Sequence, residues 1–218
     1  MIRAVIFDLD GTLVESAADL QAAASTLLAE LGSEPIDLAT ITSFIGNGID
    51  MLVLRCLDAR GIAHVAGDGA VDRFKQIYAT QGYPHSRLFP GVAHALHLLA
   101  ARGFRLGVCT NKDEGPSRSI LAKLGVSELF DVVIGGDTLD VRKPDPGALI
   151  AAAAGCGVSP DEIAYVGDSE IDAETSHSAG APFFLFTEGY RKRPVGELEA
   201  QACFSEYAHL PGLLEGCR

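Results

Sequence analysis

Close to the N-terminus stands the sequence Val5-Ile6-Phe7-Asp8-Leu9-Asp10-Gly11-Thr12-Leu13, in which an apolar run ends in two aspartates and a glycine. Such a run is typical of a strand that is buried on both faces of a sheet. Asp8 and Asp10 would lie on the same side of this strand, and Gly11 permits a tight turn after them. Two close carboxylates raise each other's proton affinity unless a cation lies between them. The pair therefore predicts a bound divalent ion such as Mg²⁺, a retained proton, or both, with an ordinary polar turn as the alternative.

The composition restricts the classes of function that such a site can serve. Of the 218 residues, 48% are hydrophobic and 21% are charged, as in a folded globular protein. The 17 basic and 29 acidic residues give a formal net charge of −12, which argues against binding to nucleic acid or to a membrane surface. A small anionic substrate would need local positive charge or a metal ion to overcome this field.

The sequence also carries no recognisable targeting signal. The N-terminus lacks the pattern of a signal peptide, and no apolar run reaches the length of a membrane span. The five cysteines are scattered and show no CxxC spacing, as is typical of reduced thiols. We therefore expect a cytoplasmic protein, either a monomer or a homodimer.

The order of helical and strand patterns predicts two regions. Residues 15–82 show helical periodicity only, beginning with Ser16 and Asp19, whose spacing resembles a capping box. After residue 88, apolar strands near 104–110, 132–134, 163–166 and 183–186 alternate with amphipathic helices, which indicates parallel strands joined by crossover helices. We expect an α/β protein with a Rossmann-like, doubly wound parallel sheet formed by residues 1–14 and 83–218. A small all-helical cap, residues 15–82, would be inserted after the first strand.

Polar residues stand at or shortly after the ends of four predicted strands. The first strand ends in Asp8 and Asp10, and the second ends in Thr110-Asn111-Lys112. The third leads to Arg142-Lys143-Pro144, and the fourth ends in Gly167-Asp168-Ser169-Glu170-Ile171-Asp172. In a parallel sheet all these groups would share one edge, where ligands bind. Carboxylates for Mg²⁺, together with a hydroxyl, an amide and a lysine, suit phosphoryl transfer from a phosphate ester.

These four segments resemble the four motifs of the haloacid dehalogenase superfamily, in its phosphatase branch with a helical cap after the first motif. The resemblance covers nearly the whole chain, and the combination of four motifs is highly specific. Two further segments look like the phosphoglycolate phosphatases within this superfamily, namely Phe44-Ile45-Gly46-Asn47-Gly48 and Phe89-Pro90-Gly91-Val92. The basic triplet Arg191-Lys192-Arg193 departs from that pattern, and we assign no role to it.

The resemblance implies a role for each motif residue in catalysis. Asp8 would be the nucleophile and Asp10 the general acid and base. Thr110 and Asn111 would hold the phosphoryl group, and Lys143 would neutralise its charge and that of Asp8. Read alone, Lys143 could be a surface lysine and Thr110 could merely end a strand. The shared sheet edge favours the functional reading of both.

The resemblance likewise implies Mg²⁺ as the cofactor. Asp8 and Asp168 would ligate the ion by their side chains and Asp10 by its backbone carbonyl. Asp172 would orient the ligands without touching the ion. An acid in the first turn of a helix is also favourable without any metal, so a structural role for Asp172 remains the alternative.

The cap supplies candidate residues for substrate binding. The backbone N–H groups of Gly46, Asn47 and Gly48 could bind the carboxylate of a substrate, as an anion nest does, or the segment could be a plain helix-helix turn. Arg55 lies on the following helix, where it would assist this binding or be solvated.

The activity implied by the resemblance is Mg²⁺-dependent hydrolysis of a small phosphorylated metabolite through an aspartyl-phosphate intermediate, with 2-phosphoglycolate as the expected substrate. The alternatives are a sugar-phosphate phosphatase, a phosphomutase similar to β-phosphoglucomutase, and a non-catalytic binding protein with this fold. Asp10 argues against dehalogenase chemistry, since the dehalogenases of the superfamily lack this second carboxylate.

Overall fold

The computed structural model, which describes residues 1–63 and 69–216, contains a six-stranded, all-parallel sheet. The first strand of the chain, Ala4–Phe7, lies in the interior of the sheet, between the strands Arg105–Cys109 and Ile163–Gly167. The order of strands across the sheet is β5-β4-β1-β6-β7-β8. Their bounds are Ala4–Phe7 (β1), Arg105–Cys109 (β4), Val132–Ile134 (β5), Ile163–Gly167 (β6), Phe183–Phe186 (β7) and Ala202–Phe204 (β8).

The sheet is covered on both faces, as the apolar sequence of its central strand predicts. Ala4 and Ile6 point to one face, where they pack against α7, and Val5 and Phe7 point to the other. All four side chains are fully buried. This arrangement confirms the predicted α/β class with a doubly wound parallel sheet. The helices in this part of the chain are Val92–Ala101 (α5), Glu114–Lys123 (α6), Gly147–Gly155 (α7), Glu170–Ala179 (α8) and Leu210–Glu215 (α9).

The chain divides into two compact units, one made of residues 1–15 and 88–218 and the other of residues 16–87. It leaves the sheet unit after the short strand Val14–Glu15 (β2) and returns at Arg87–Leu88 (β3). The second unit contains only helices in its described interior, namely Ala17–Glu30 (α1), Leu38–Phe44 (α2), Ile49–Ala59 (α3) and Ala70–Gln81 (α4). The prediction of a helical region is therefore confirmed.

The predicted capping box at the start of α1 is wrong. Ser16 makes no side-chain capping bond. Asp19 is fully buried, and its carboxylate accepts hydrogen bonds from the backbone N–H groups of His85 and Ser86 and from the Ser86 hydroxyl at 2.6 Å. These donors lie at the far end of the helical unit, and a buried carboxylate is most stable where several of them converge. Asp19 thus joins the two ends of the unit instead of capping a helix.

Strand β8 is absent from the sequence-based prediction. Ala202-Cys203-Phe204 is too short and too mixed to show a period of two, yet it pairs in parallel with β7 at the edge of the sheet. The four described cysteines, including Cys203, are free thiols. No helix among the described residues is long and apolar enough to cross a membrane.

Candidate active site

The carboxyl ends of β1, β4 and β6 meet at one edge of the sheet. Phe7, the last residue of β1, is in register with Val108 of β4 and Val166 of β6. The residues that follow these strands therefore become neighbours in space. The backbone N–H of Asp8 continues the pairing by donating to the carbonyl of Val166 at 2.9 Å.

Lys143 lies at the centre of this edge and is 4% exposed. Its Nζ atom is 3.0 Å from Asp8 Oδ1 and 2.6 Å from Asp172 Oδ1, and it donates to the Tyr165 hydroxyl at 3.0 Å. A lysine so deeply buried is stable only where it is paired with negative charge. Lys143 is thus a buried counter-ion of two carboxylates, and the alternative of a plain surface lysine is wrong.

The pKa values of these groups reflect both their burial and their pairing. Burial opposes the charged form of Lys143, but the carboxylates of Asp172 and Asp8 outweigh it and raise the pKa of the ammonium group. Burial raises the pKa of Asp8 from 3.8 to about 7, although Lys143 opposes this rise. Burial acts in the same way on Asp172, but there the charge and hydrogen bond of Lys143 prevail and lower the pKa.

Asp168 is held by a donor on each of its carboxylate oxygens. The Thr12 hydroxyl donates to Oδ1 at 2.6 Å, and the backbone N–H of Tyr190 donates to Oδ2 at 2.6 Å. Burial, followed by the charges of Asp172 and Asp8, raises the pKa of Asp168 well above its usual range. The environment of Asp168 therefore fixes the orientation of the carboxylate, and among the described residues no lysine or arginine forms an ion pair with it.

A divalent cation fits this set of donors. Asp8, Asp168 and Asp172 each offer a carboxylate oxygen, and these oxygens lie within 4.8 Å of one another. Asp8 and Asp172 share the single ammonium group of Lys143, so this cluster of three carboxylates has more acidic than basic groups. Hard oxygen ligands of this kind are what Mg²⁺ requires. A bound cation would also offset the burial and the repulsion between carboxylates that together raise the pKa values of Asp8 and Asp168.

Asp172 accepts hydrogen bonds from more donors than either of the other two carboxylates. Its Oδ1 atom contacts Lys143 and accepts from the Tyr165 hydroxyl at 2.8 Å. Its Oδ2 atom accepts from the Ser169 hydroxyl at 2.7 Å and from the backbone N–H groups of Asp168 and Ser169. A Cβ atom on Gly167 would lie 2.4 Å from Asp172 Cβ, so glycine is needed at that position. Asp172 is therefore bound as a structural partner of Lys143 and Ser169.

Asp10 forms an ion pair with a second lysine, Lys112, for which the sequence motifs imply no role. Lys112 Nζ lies 3.2 Å from Asp10 Oδ1 and 3.1 Å from Oδ2. The side chain of Lys112 is only 2% exposed, whereas that of Asp10 is 13% exposed. The two N-terminal aspartates are thus divided between two buried lysines, with Asp8 paired to Lys143 and Asp10 to Lys112.

Thr110 and Asn111 are buried at the end of β4. The side-chain amide of Asn111 donates to the carbonyl of Lys143 at 3.0 Å, and the backbone N–H of Lys112 donates to the Thr110 hydroxyl at 3.3 Å. This turn also accepts a hydrogen bond at the Lys112 carbonyl from the N–H of Gly136 at 2.8 Å. The segment thereby connects the ends of β4 and β5 to the loop that carries Lys143.

The candidate residues of the cap belong to the helical unit. Gly46 and Gly48 have φ angles of +119° and +85°, which only glycine adopts readily, and Gly48 caps α3. The Arg55 guanidinium donates to the carbonyl of Phe44 and to Asn47 Oδ1, both at 2.8 Å. Arg55 is therefore not merely solvated. Its two hydrogen bonds fix the shape of the Phe44–Gly48 segment.

Three side chains and one backbone N–H of the sheet unit take part in the site although no sequence motif assigns them a role. They orient the carboxylates and Lys143, and they are the side chains of Thr12, Lys112 and Tyr165 and the backbone N–H of Tyr190. Lys112 carried a usable signal, since it follows the strand-end pair Thr110-Asn111 directly. Tyr165 carried none, because within the apolar run of β6 it is indistinguishable from a core aromatic residue.

The geometry of the sheet and its carboxylate edge agrees with a known family. The family model described as haloacid dehalogenase-like hydrolase matches residues 5–186. The chain therefore belongs to the haloacid dehalogenase-like hydrolases.

Several relatives of this chain carry a narrower description than the family model does. The chain is 50% identical over 212 residues to a phosphoglycolate phosphatase of Cereibacter sphaeroides, with 96% of each chain covered. It is 43% identical over 216 residues to a phosphoglycolate phosphatase of Rhodospirillum rubrum, covering 96% of this chain and 90% of the relative. A crystal structure described as a predicted phosphoglycolate phosphatase from Haemophilus somnus 129PT superimposes with a TM-score of 0.93 at 30% identity, over 98% of both chains.

Proposed function

We propose that this protein is a Mg²⁺-dependent phosphatase that hydrolyses a small phosphate monoester, with 2-phosphoglycolate as its substrate, through a phosphorylated Asp8. The observation that carries the proposal is the difference in hydrogen bonding between the two oxygens of the Asp8 carboxylate. Its Oδ1 atom contacts Lys143 and accepts from the N–H of Leu9 at 2.7 Å. The Oδ2 atom accepts no hydrogen bond from the described residues, so it is the oxygen that can attack phosphorus.

The first step would transfer the phosphoryl group to Asp8. Asp8 Oδ2 forms a bond to phosphorus while the ester P–O bond breaks, and the leaving alkoxide takes a proton from Asp10. The second step would release phosphate. Asp10 takes a proton from a water molecule that attacks phosphorus, and the bond between phosphorus and Asp8 breaks. The partial exposure of the Asp10 carboxylate makes it accessible to the leaving group and to water, and Lys112 holds it in position.

Positive charge must accompany the transferring group throughout. Asp8 and Asp168 would hold Mg²⁺ by their side chains and Asp10 by its backbone carbonyl, and the ion would supply charge that stabilises the phosphoryl oxygens. Lys143 would contribute a fixed ammonium group beside the nucleophile, at 3.0 Å from Asp8. Thr110 and Asn111, at the end of the neighbouring strand, would orient the phosphoryl group.

The choice of 2-phosphoglycolate is supported by the relatives and by the cap. The relatives from Cereibacter sphaeroides and Rhodospirillum rubrum are both phosphoglycolate phosphatases. We assign the carboxylate of this substrate to the backbone N–H groups of Gly46, Asn47 and Gly48. Their segment precedes the N-terminus of an 11-residue helix, where a negative charge is stabilised, and Arg55 holds it in shape.

The proposal is tested by comparing catalytic efficiencies across small phosphate esters in the presence of Mg²⁺. We expect 2-phosphoglycolate to exceed hexose phosphates and to yield inorganic phosphate. Acid quenching during turnover, followed by peptide mass spectrometry, should place a phosphoryl group on Asp8. Efficient isomerisation of a sugar phosphate without release of phosphate would identify a phosphomutase instead. No turnover of any ester would leave only a binding function.

Removal of the metal should abolish this activity reversibly. Excess EDTA removes Mg²⁺ and with it the positive charge that would balance the three clustered carboxylates. Turnover should therefore fall to the background of uncatalysed hydrolysis. Addition of excess Mg²⁺ should restore it. The matched control is treatment with the Mg²⁺ complex of EDTA, which should leave the rate unchanged. Full activity in metal-free buffer would contradict the assignment of Mg²⁺.

Replacement of Lys112 should affect the step that protonates the leaving group. In Lys112→Met the Asp10 carboxylate loses a partner that holds both of its oxygens, and misplacement of a general acid lowers kcat by about 10–100-fold. The loss in kcat/KM, which reports formation of the phosphorylated Asp8 and not its hydrolysis, should be large for 2-phosphoglycolate and small for p-nitrophenyl phosphate, whose leaving group needs no proton. Lys123→Met, at an exposed position of α6, is the control. Equal losses with the two substrates would show that Lys112 does not act through Asp10.

A further inference from the structure

A loop of residues 187–192, which follows β7, touches the proposed metal site. It contains Arg191 and Lys192 of the basic triplet to which the sequence analysis assigned no role. The backbone N–H of Tyr190 in this loop donates to Asp168 Oδ2 at 2.6 Å. We propose that the 187–192 loop is a positioning element that fixes the Asp168 carboxylate for the cation, and that Gly189 and Arg191 are the residues on which it depends. This inference rests on the proposed function, since that function makes Asp168 a metal ligand.

Gly189 brings the loop into direct contact with Asp168. A Cβ atom at this position would lie less than 3.0 Å from Asp168 Cβ, from Asp168 Oδ2 and from the carbonyl oxygen of Gly11. The φ angle of Gly189 lies outside the left-handed region, so the backbone itself does not require glycine. Glycine is needed here because the loop approaches Asp168 too closely for any side chain.

The loop is held at both of its ends by groups that have no other assigned function. Thr187 donates its N–H to the Phe204 carbonyl of β8 at 2.9 Å. The Arg191 guanidinium donates to the Thr187 carbonyl, which closes the loop on itself. At the other end, the N–H of Lys192 donates to Glu170 Oε2 at 3.2 Å, in the first turn of α8. Since α8 follows Asp168 closely in the chain, Glu170 connects the loop to the segment that carries the ligand.

Fixing the carboxylate in advance should increase its affinity for a cation. Each carboxylate oxygen can accept more than one interaction, so the bonds from Thr12 and Tyr190 leave capacity on both oxygens of Asp168 for an ion. A ligand that is already oriented loses less conformational entropy on binding. Groups that orient metal ligands typically change metal affinity by about 10–100-fold when they are replaced.

The test is Mg²⁺ binding to the metal-free, full-length chain, measured by isothermal titration calorimetry without substrate. Gly189→Ala should raise the Kd for Mg²⁺ by about 10–100-fold, and Arg191→Met by about 10-fold. Each variant has a matched control in the neighbouring sequence. A Cβ atom on Gly196 meets nothing within 4 Å, so Gly196→Ala should change the Kd by less than about twofold. Arg193 is exposed, so Arg193→Met is the control for Arg191→Met and should likewise leave the Kd nearly unchanged. Circular dichroism reports whether each variant is folded.

The outcomes separate this inference from the proposed function. If the wild-type chain does not bind Mg²⁺, the metal site and the inference both fail. If the wild type binds Mg²⁺ and Gly189→Ala is folded but binds it equally well, the inference alone is overturned. If Gly189→Ala does not fold, the comparison of Arg191→Met with Arg193→Met decides. Equal affinities in that pair would overturn the positioning role.

Discussion

Asp8→Asn should abolish turnover while leaving a folded protein. The amide has the shape of the carboxylate but cannot form the phosphorylated intermediate, and loss of a covalent nucleophile lowers kcat by about 10⁴-fold or more. The measurement is phosphate release from 2-phosphoglycolate under saturating Mg²⁺. Asp8→Glu is the matched variant, since it keeps the carboxylate and misplaces it. A residual rate within 10-fold of the wild type in Asp8→Asn would rule out Asp8 as the nucleophile.

The same substitution should change the dependence of stability on pH. In the folded, metal-free protein the pKa of Asp8 is raised from 3.8 to about 7, so between these values the folded state binds more protons than the unfolded state. The contribution of Asp8 to the free energy of unfolding therefore decreases as the pH rises through this window. Asp8→Asn lacks this loss and should gain stability relative to the wild type from about pH 4 to about pH 7. Thermal unfolding in EDTA measures the difference, and a difference independent of pH would contradict the expectation.

Lys143→Met should have the largest effect on stability. Methionine retains much of the apolar volume of the side chain, but it leaves Asp8 and Asp172 without the ammonium group that lies within 3.0 Å of both. Breaking a buried ion pair by removing one partner costs about 3–5 kcal/mol, because the remaining charge stays buried. Turnover should fall by about 10²–10³-fold as well, since a fixed positive charge beside the phosphoryl group is lost.

A second substitution distinguishes loss of charge balance from loss of packing. In Lys143→Met combined with Asp172→Asn, one of the two uncompensated carboxylates is gone, so part of the lost stability should return. Urea denaturation of the four proteins in this cycle measures the coupling, with Lys123→Met as a control at an exposed position. Strictly additive effects would show that Lys143 and Asp172 do not stabilise each other.

The part of the site that the sequence could predict depends on one rule of sheet topology. Asp8, Lys143 and Asp168 are far apart in the chain, yet each follows a strand of a parallel sheet, and the carboxyl ends of such strands share an edge. Their meeting at one edge is confirmed by the structure. The rule needs only the location of the strands, and strongly apolar runs such as residues 4–7 make that location plain.

The direction of individual side chains could not be predicted in the same way. The pairing of Lys112 with Asp10 depends on the conformation of a turn, and the sequence does not determine which carboxylate a nearby lysine will contact. Asp19 shows the converse error, because its spacing from Ser16 fits a local helix cap while its partners lie more than 60 residues away. Local patterns are misleading where a long-range contact satisfies the same group.

The central position of β1 has a consequence for how the protein is made. Its two neighbours in the sheet, residues 105–109 and 163–167, are synthesised long after Ala4–Phe7 has left the ribosome. This apolar segment therefore remains unpaired while most of the chain is synthesised. An exposed apolar strand favours association with chaperones or with other nascent chains. Residues 16–87 form a compact unit from one continuous stretch of chain, so the contacts within that unit can form before β4 and β6 are synthesised. The catalytic edge is thus among the last parts of the molecule to form during translation.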